Sequence, residues 1–232
     1  MEASASVYTT LALRFYDLVV LTLSNALAWR CPTGSVLLPF YQRPLRDSSA
    51  HLEIGVGTGY YPAASVPALS KTQRVTLLDL NPATLAYART RLLRAGFRGA
   101  IDAVEHNIFR PLSEPEPDAG SARYDSVALF YVFHCLPGAL PKKATDVFAN
   151  IVPVLAPGGV VYGSTILGRG VQHNWLGRRL MGLYNRKGIF GNTADSEEGL
   201  REALAACFEE YEVRVVGVVA LFEARKPKPV GS

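Results

Sequence analysis

The amino-acid sequence predicts an α/β protein whose mostly parallel sheet carries helices on both faces. Short apolar segments typical of strands alternate with helical segments between residues 50 and 167, which is the pattern of βαβ units. A glycine-rich segment follows the first of these strands, where such folds bind ligands. Two further strands lie close together within residues 211–224, which predicts an antiparallel edge of the sheet.

The composition excludes several classes of protein. A chain of 232 residues suits one domain with a small cap, and 49% hydrophobic with 19% charged residues excludes general disorder. The net charge of +4 lacks the strong basic excess of a nucleic-acid binder, so we expect no nucleic-acid partner. The three cysteines are odd in number and widely spaced, which favours a reducing, cytoplasmic setting.

Residues 1–48 are predicted to form a small N-terminal helical cap. Apolar residues recur at helical spacing across residues 8–29, and a second short helix is expected over residues 36–41. Arg14 and Asp17 interrupt the longest apolar stretch, which therefore falls short of a membrane span.

Residues 49–167 are predicted to form a core of five strands and three helices. Asn81 and Pro82 mark the start of the central helix and Gly96 marks its end. The strands are expected over residues 51–56, 74–80, 101–106 and 160–167, with a fourth strand and its following turn over residues 124–133. The helices are expected over residues 61–69, 82–94 and 142–155.

Residues 168–194 are predicted to be an irregular lid, and residues 195–226 a helix followed by two strands, all within a single domain of residues 1–232. The lid holds five basic residues and no acidic one, which hints at an anionic or phenolate substrate. A solvated basic surface is the alternative. The five basic residues are Arg169, Arg178, Arg179, Arg186 and Lys187.

The segment from Glu53 to Gly59 carries the strongest ligand-binding signal. It joins a predicted strand to a predicted helix, and its three glycines allow a tight turn and the close approach of a ligand. It does not match the dinucleotide pattern G-x-G-x-x-G, because Tyr60 stands where the third glycine is required. A simple tight turn is the alternative.

Asp79 ends the next predicted strand. A carboxylate at that place can accept hydrogen bonds from both hydroxyls of a ribose. A helix cap or a surface charge is the alternative interpretation.

Four segments in this order resemble the class I S-adenosylmethionine-dependent methyltransferases that act on small molecules. They read HLEIGVGTG, LLDLNPATLAYAR, EHNIFRPL and YDSVALFYVFHCLPG, and VLAPGGVVYG follows them. The resemblance covers residues 51–167, about half of the chain. It implies a Rossmann-like sheet of seven strands with the last one antiparallel, S-adenosyl-L-methionine as cofactor, and methyl transfer to a small-molecule substrate.

The resemblance also implies which residues bind the methionine part of the cofactor. Gly55, Gly57 and Gly59 would line it, and Glu53 would support that loop and the amino group of the cofactor.

The nucleoside part would meet the ends of the second and third strands. Asp79 would bind the ribose and Leu80 would lie against the adenine, while Asn107 and Ile108 match the segment that contacts the adenine. The family usually has Asp where this chain has Asn107. An amide oxygen can still accept a hydrogen bond from the adenine amino group, and a residue of a loop turn is the alternative for Asn107.

The catalytic candidates follow from position and chemistry. His134 follows the fourth strand and can accept a proton from a phenol or an amine, although a structural histidine in a turn is the alternative. Tyr16 matches an aromatic residue with which related enzymes cover the cofactor, or it packs the N-terminal helix. Phe130 and Tyr131 end the fourth strand and face the cofactor, or they are core aromatics.

The lid supplies the remaining candidates for substrate binding, together with Tyr16 and His134. These are Trp175, Tyr184 and Asn185. No metal site is predicted, because Asp125 has no second acidic residue near the end of the fourth strand.

Three hypotheses for function remain open at this stage. The first is methyl transfer to oxygen, nitrogen or carbon of a small, phenolic or natural-product-like molecule. The second is a non-methylating reaction, such as a cyclisation, in the same cofactor pocket, because a fold does not fix a function. The third is a protein or nucleic-acid methyltransferase. The sequence carries no signal for the oligomeric state.

Overall fold

The computed structural model describes residues 17–112 and 123–229, and a seven-stranded sheet forms its centre. The strands are β1 (Ala50–Ile54), β2 (Arg74–Asp79), β3 (Ala100–Glu105), β4 (Tyr124–Phe130), β5 (Leu155–Ile166), β6 (Phe208–Val216) and β7 (Val219–Pro227). Their order is β3-β2-β1-β4-β5-β7-β6. The first five pair in parallel, and β7 inserts antiparallel between β5 and β6. The predicted fold class is confirmed.

Six α-helices accompany the sheet in the part of the chain that the structure describes. They are α1 (Leu38–Leu45), α2 (Tyr60–Ala64), α3 (Pro82–Arg94), α4 (Lys142–Ile151), α5 (Trp175–Arg186) and α6 (Glu197–Cys207). Short 3₁₀ turns span Val66–Leu69, Phe133–Cys135 and Val152–Val154. The start of α3 is set as predicted, because the Asn81 side chain accepts a hydrogen bond from the Ala83 amide and Pro82 occupies the first turn.

Two apolar clusters cover the two faces of the sheet. Successive residues of a strand point to opposite faces, so in β4 Ala128 and Phe130 join one cluster and Val127 and Leu129 join the other. The first cluster includes side chains of α1 and α3, and the second includes side chains of α4 and α6. This burial on both faces accounts for the high apolar content of the chain.

The N-terminal region is helical where the structure describes it. Asp17–Ala28 and Thr33–Leu37 are wide, π-type helices, and the Trp29 amide donates to the Ser24 carbonyl five residues earlier. Tyr16 and the start of the predicted first helix lie outside the described residues. Within the described ranges, no helix is both long and apolar enough to cross a membrane.

The segment after β5 differs from the prediction of an irregular lid. It contains the twelve-residue helix α5, which Asn174 caps by accepting a hydrogen bond from the Gly177 amide. Leu176, Leu180 and Tyr184 recur every four residues and pack against the first apolar cluster. The glycines and arginines between them hide this helical period in the sequence.

Candidate active site

A cavity of about 410 Å³ lies at the carboxyl ends of β1, β2 and β4. The chain crosses from one half of the sheet to the other between β1 and β4, which is where open α/β sheets bind ligands. Nine of the ten residues predicted to bind the cofactor line this cavity, and Gly59 does not. The nine are Glu53, Gly55, Gly57, Asp79, Leu80, Asn107, Ile108, Phe130 and Tyr131.

The glycine loop combines two different uses of glycine. Gly55 has φ +66°, and a Cβ atom there would lie 2.7 Å from Cγ2 of Val132. Gly57 has φ +52° and nothing closer to a Cβ position than the Gly55 carbonyl oxygen at 4.0 Å. Gly59 instead faces α3, because its Cβ would lie 2.8 Å from Cα of Ala88. Gly59 therefore allows the loop to pack on α3, which corrects its predicted place beside the cofactor.

Alanine substitutions should separate strain from crowding in this loop. Gly57→Ala is expected to cost about 1–2 kcal/mol of stability, which is the cost of a left-handed backbone for an L residue. Gly55→Ala adds the displacement of Val132 and should cost about 1–3 kcal/mol more. Urea unfolding of the two variants tests this order, and equal losses would contradict it.

Two buried side chains, Tyr41 and His51, hold Glu53 in place, and neither was predicted as a site residue. Glu53 Oε2 accepts a hydrogen bond from the Tyr41 hydroxyl at 2.6 Å and lies 3.0 Å from His51 Nε2. His51 Nδ1 lies 2.8 Å from the Ser126 hydroxyl. Burial, and then the Glu53 carboxylate, raise the pKa of Tyr41 well above its usual value, so Tyr41 remains a donor.

The contacts of Glu53 with Tyr41 and His51 both involve its Oε2 atom. Glu53 also lines the cavity. The arrangement fixes the carboxylate and leaves Oε1 for a cationic group of a ligand. The sequence could have indicated the contact between His51 and Glu53, because residues two apart in a strand lie on the same face.

Asp79 and Asn107 line the cavity at the ends of β2 and β3. Burial raises the pKa of Asp79, and hydrogen bonds from the backbone at Asn81, Gly57 and Leu80 partly offset that rise. Asn107 Oδ1 accepts a hydrogen bond from the Phe109 amide at 3.0 Å. The amide oxygen of Asn107 thus takes part in its own turn, as in the alternative interpretation, and its second lone pair can still accept a hydrogen bond.

His134 lies at the inner end of the cavity and is only 3% exposed. Its Nδ1 accepts a hydrogen bond from the Ile166 amide at 3.4 Å, which places the proton of the neutral ring on Nε2. Burial, and then the positive charge of Lys143, lower the pKa of His134 to about 3. His134 is therefore a neutral hydrogen-bond donor at physiological pH.

This shift makes the stability of the fold depend on pH through His134. The folded-state pKa of about 3 lies below the ordinary value of 6.5, so the stabilisation is complete above pH 6.5 and is lost as the pH falls. Between pH 6.5 and pH 5 the loss should be about 2 kcal/mol, at roughly 1.4 kcal/mol per pH unit. Urea unfolding at pH 7 and pH 5 measures the free energy of unfolding that is lost on acidification. We expect a smaller loss in His134→Gln than in the wild type, and equal losses in the two proteins would contradict the low pKa of His134.

The lid brings aromatic side chains to the cavity but leaves its basic residues outside. Tyr184 and Phe190 line the wall, and the Phe190 ring lies 4.5 Å from that of His134. Trp29, whose ring lies 6.2 Å from that of Phe190, and Asn25 also line the cavity, and neither was predicted. Of the five basic lid residues, all within the described ranges, none lines this cavity. The predicted hint of an anionic substrate therefore has no support in the structure.

Two predicted substrate residues lie elsewhere. Trp175 is 66% exposed and is not part of the cavity wall. Asn185 lines a second, open cavity and hydrogen-bonds Asn192 at 3.1 Å. Both positions belong to α5, whose inner face carries Tyr184, and the sequence could not reveal which face turns inward. Among the residues that the structure describes, no group of three His, Cys, Asp or Glu side chains could hold a metal.

The comparisons with known proteins agree with this geometry. A model of the methyltransferase domain family matches residues 52–161. The O-methyltransferase of the physcion biosynthesis cluster of Aspergillus chevalieri is 40% identical over 227 residues, which are 98% of this chain and 96% of that protein. Demethylluteothin O-methyltransferase of Streptomyces thioluteus is 35% identical over 221 residues, which are 94% of this chain and 88% of that protein.

The fold has close counterparts among solved structures. The DhpI–SAH complex superposes with a TM-score of 0.64 at 18% identity, covering 98% of this chain and 97% of that one. At this identity the likeness concerns the fold alone. The two relatives above, which are 35–40% identical over nearly the whole chain, show the family. The chain belongs to the S-adenosylmethionine-dependent methyltransferases that act on small molecules.

Proposed function

We propose that the enzyme transfers the methyl group of S-adenosylmethionine to a hydroxyl oxygen of a small, uncharged, largely apolar molecule bound beneath α5. One observation carries this proposal. The cavity that begins at the glycine loop continues to a wall of neutral rings formed by Trp29, His134, Tyr184 and Phe190. A largely apolar pocket with few polar groups is typical of small-molecule sites.

The cofactor half of the cavity fits the groups that it has to hold. Gly55 and Gly57 have the positive φ angles that let the loop turn beside the cavity, where it would line the methionine part of the cofactor. Glu53 would bind the amino group through Oε1, and Asp79 would bind the ribose. Leu80, which is 40% exposed, and Ile108 would contact the adenine. When bound, S-adenosylmethionine supplies an electrophilic methyl group on a neutral leaving group.

The residues of the substrate half orient the acceptor and exclude water. The Nε2–H of His134 would donate to the acceptor oxygen and hold one of its lone pairs toward the methyl group. The oxygen–methyl bond would form as the sulfur–methyl bond breaks, and the proton of the hydroxyl would pass to solvent. His134 would thus act by positioning more than as a strong base, because its pKa lies near 3. Tyr16, outside the described residues, keeps its proposed role as a cover over the site.

Oxygen as the accepting atom is supported by the relatives. The two relatives described above, from a fungus and a bacterium, are both O-methyltransferases. We further propose a cytoplasmic enzyme, because its three cysteines are free. We propose no nucleic-acid partner, because the residues assigned to the reaction line a cavity of about 410 Å³.

A panel of hydroxyl acceptors, each matched with the corresponding amine, tests the proposal. Phenols and enols of fused or polyketide-like rings are incubated with the enzyme and S-adenosylmethionine beside the corresponding amines, and products are identified by mass spectrometry. We expect methyl ethers from the hydroxyl compounds and no product from the amines. Methylation of the amines alone would overturn the choice of oxygen.

A further inference from the structure

The outer face of α5 exposes apolar side chains that the active site does not use. Trp175 is 66% exposed and Leu183 is 36% exposed. Leu27, on the adjoining helix Asp17–Ala28, is 57% exposed. The Asn174 side chain donates to the Leu27 backbone carbonyl at 2.7 Å, which joins the end of that helix to the start of α5. Exposed large apolar side chains that cluster in this way mark interaction surfaces.

Exposed basic residues lie on the same helix as Trp175 and Leu183. Four exposed basic residues lie on or directly after α5, and no acidic residue occurs between residues 168 and 194. Arg30 adds a fifth charge, because its guanidinium donates to the Gln172 carbonyl close to the start of α5. The four basic residues of α5 and its end are Arg178, Arg179, Arg186 and Lys187.

We propose that this surface, which we call the docking face and define by Leu27, Trp175, Leu183 and the five basic residues, binds the headgroup layer of an anionic lipid bilayer. A helix that presents tryptophan and leucine among arginines is typical of helices that lie in a membrane interface. Tryptophan prefers the headgroup level, and each basic residue near an anionic surface contributes about 1 kcal/mol, a factor of about five in affinity.

Charge favours a bilayer over a second copy of the chain. A two-fold symmetric contact would place the docking face against itself, so that five basic residues would face five others without an acidic partner between them. An anionic lipid surface instead attracts all of them.

The docking face and the active site share one helix. The inner side of α5 carries Tyr184 into the wall of the cavity, while Trp175 and Leu183 point outward. Binding to a bilayer would therefore bring the lid to the surface from which an apolar substrate partitions.

Sedimentation with lipid vesicles tests the docking face without any turnover, so its outcome is independent of the proposed reaction. The wild-type protein is mixed with vesicles of pure phosphatidylcholine or with one third phosphatidylserine. We expect binding to the anionic vesicles only, with an affinity that falls as salt rises. The variant Arg178→Glu/Arg179→Glu should bind at least about 25-fold more weakly, and Trp175→Ala should also weaken binding.

The chain offers a matched control on α3. The variant Leu93→Ala/Arg89→Glu/Arg94→Glu removes an exposed leucine and two exposed arginines from another part of the surface, and it should bind as the wild type does. If the docking-face variants and the α3 variant lost vesicle affinity equally, the attraction would be a general effect of charge, and the proposal would be overturned. Absence of binding to anionic vesicles, or a dimer that the Trp175→Ala variant abolishes, would overturn it as well. Thermal melting confirms that each variant is folded.

Discussion

Replacement of Lys143 by methionine is expected to lower the free energy of unfolding by about 3–5 kcal/mol, because it leaves a buried carboxylate without its partner. Lys143 Nζ lies 2.6 Å from Asp195 Oδ2, and both side chains are at most 1% exposed. Nζ also donates to the Gly191 carbonyl at 3.0 Å. The pair thus joins α4 to the residue that directly follows the lid. Urea unfolding measures the stability that the variant loses.

The neighbouring residue provides the control. Lys142 forms an exposed ion pair with Asp146 one helical turn away, and Lys142→Met should change the stability by less than about 1 kcal/mol. The double variant Lys143→Met/Asp195→Asn removes both charges and should recover part of the loss. If Lys143→Met and Lys142→Met were equally stable, the buried pair would not hold the lid.

Replacement of Asp79 by alanine is expected to weaken the binding of S-adenosylhomocysteine by at least about 100-fold. A hydrogen bond to a charged group contributes about 1.5–3 kcal/mol, and we propose that Asp79 forms two of them with the ribose. Two such bonds correspond to more than two powers of ten in affinity. Isothermal titration calorimetry gives the dissociation constant directly.

Asp102→Ala on β3 is the matched control, since Asp102 is exposed and lies outside the cavity wall. It should leave the affinity unchanged. Circular dichroism shows whether Asp79→Ala retains the fold. A folded Asp79→Ala protein with an affinity within threefold of the wild type would remove Asp79 from the cofactor site.

The parallel core, and the meeting of the glycine loop with the end of β2 at one cavity, could be predicted from the sequence because they depend on local patterns. Gly55, Gly57 and Asp79 each follow a strand whose apolar run is visible in the chain, and parallel strands bring their carboxyl ends to one edge. The start of α3 could be predicted in the same way, because Asn81 and Pro82 act on adjacent residues.

The rest of the cavity wall could not be predicted, because it depends on contacts between distant segments. Trp29 reaches the cavity from the N-terminal cap, and Lys143 pairs with Asp195 across the lid. The direction in which α5 faces decides that Tyr184 enters the cavity while Trp175 stays outside, and no local signal encodes that rotation. The burial that keeps His134 neutral likewise comes from the assembled fold.

The ratio of S-adenosylhomocysteine formed to product formed tests the central claim most directly. With a hydroxyl acceptor from the panel, the enzyme should release one S-adenosylhomocysteine for each methyl ether, with the label of methyl-labelled cofactor wholly in the product. Product that forms while the cofactor remains intact would show that the cavity holds S-adenosylmethionine for another reaction, and it would contradict methyl transfer as the function of this site.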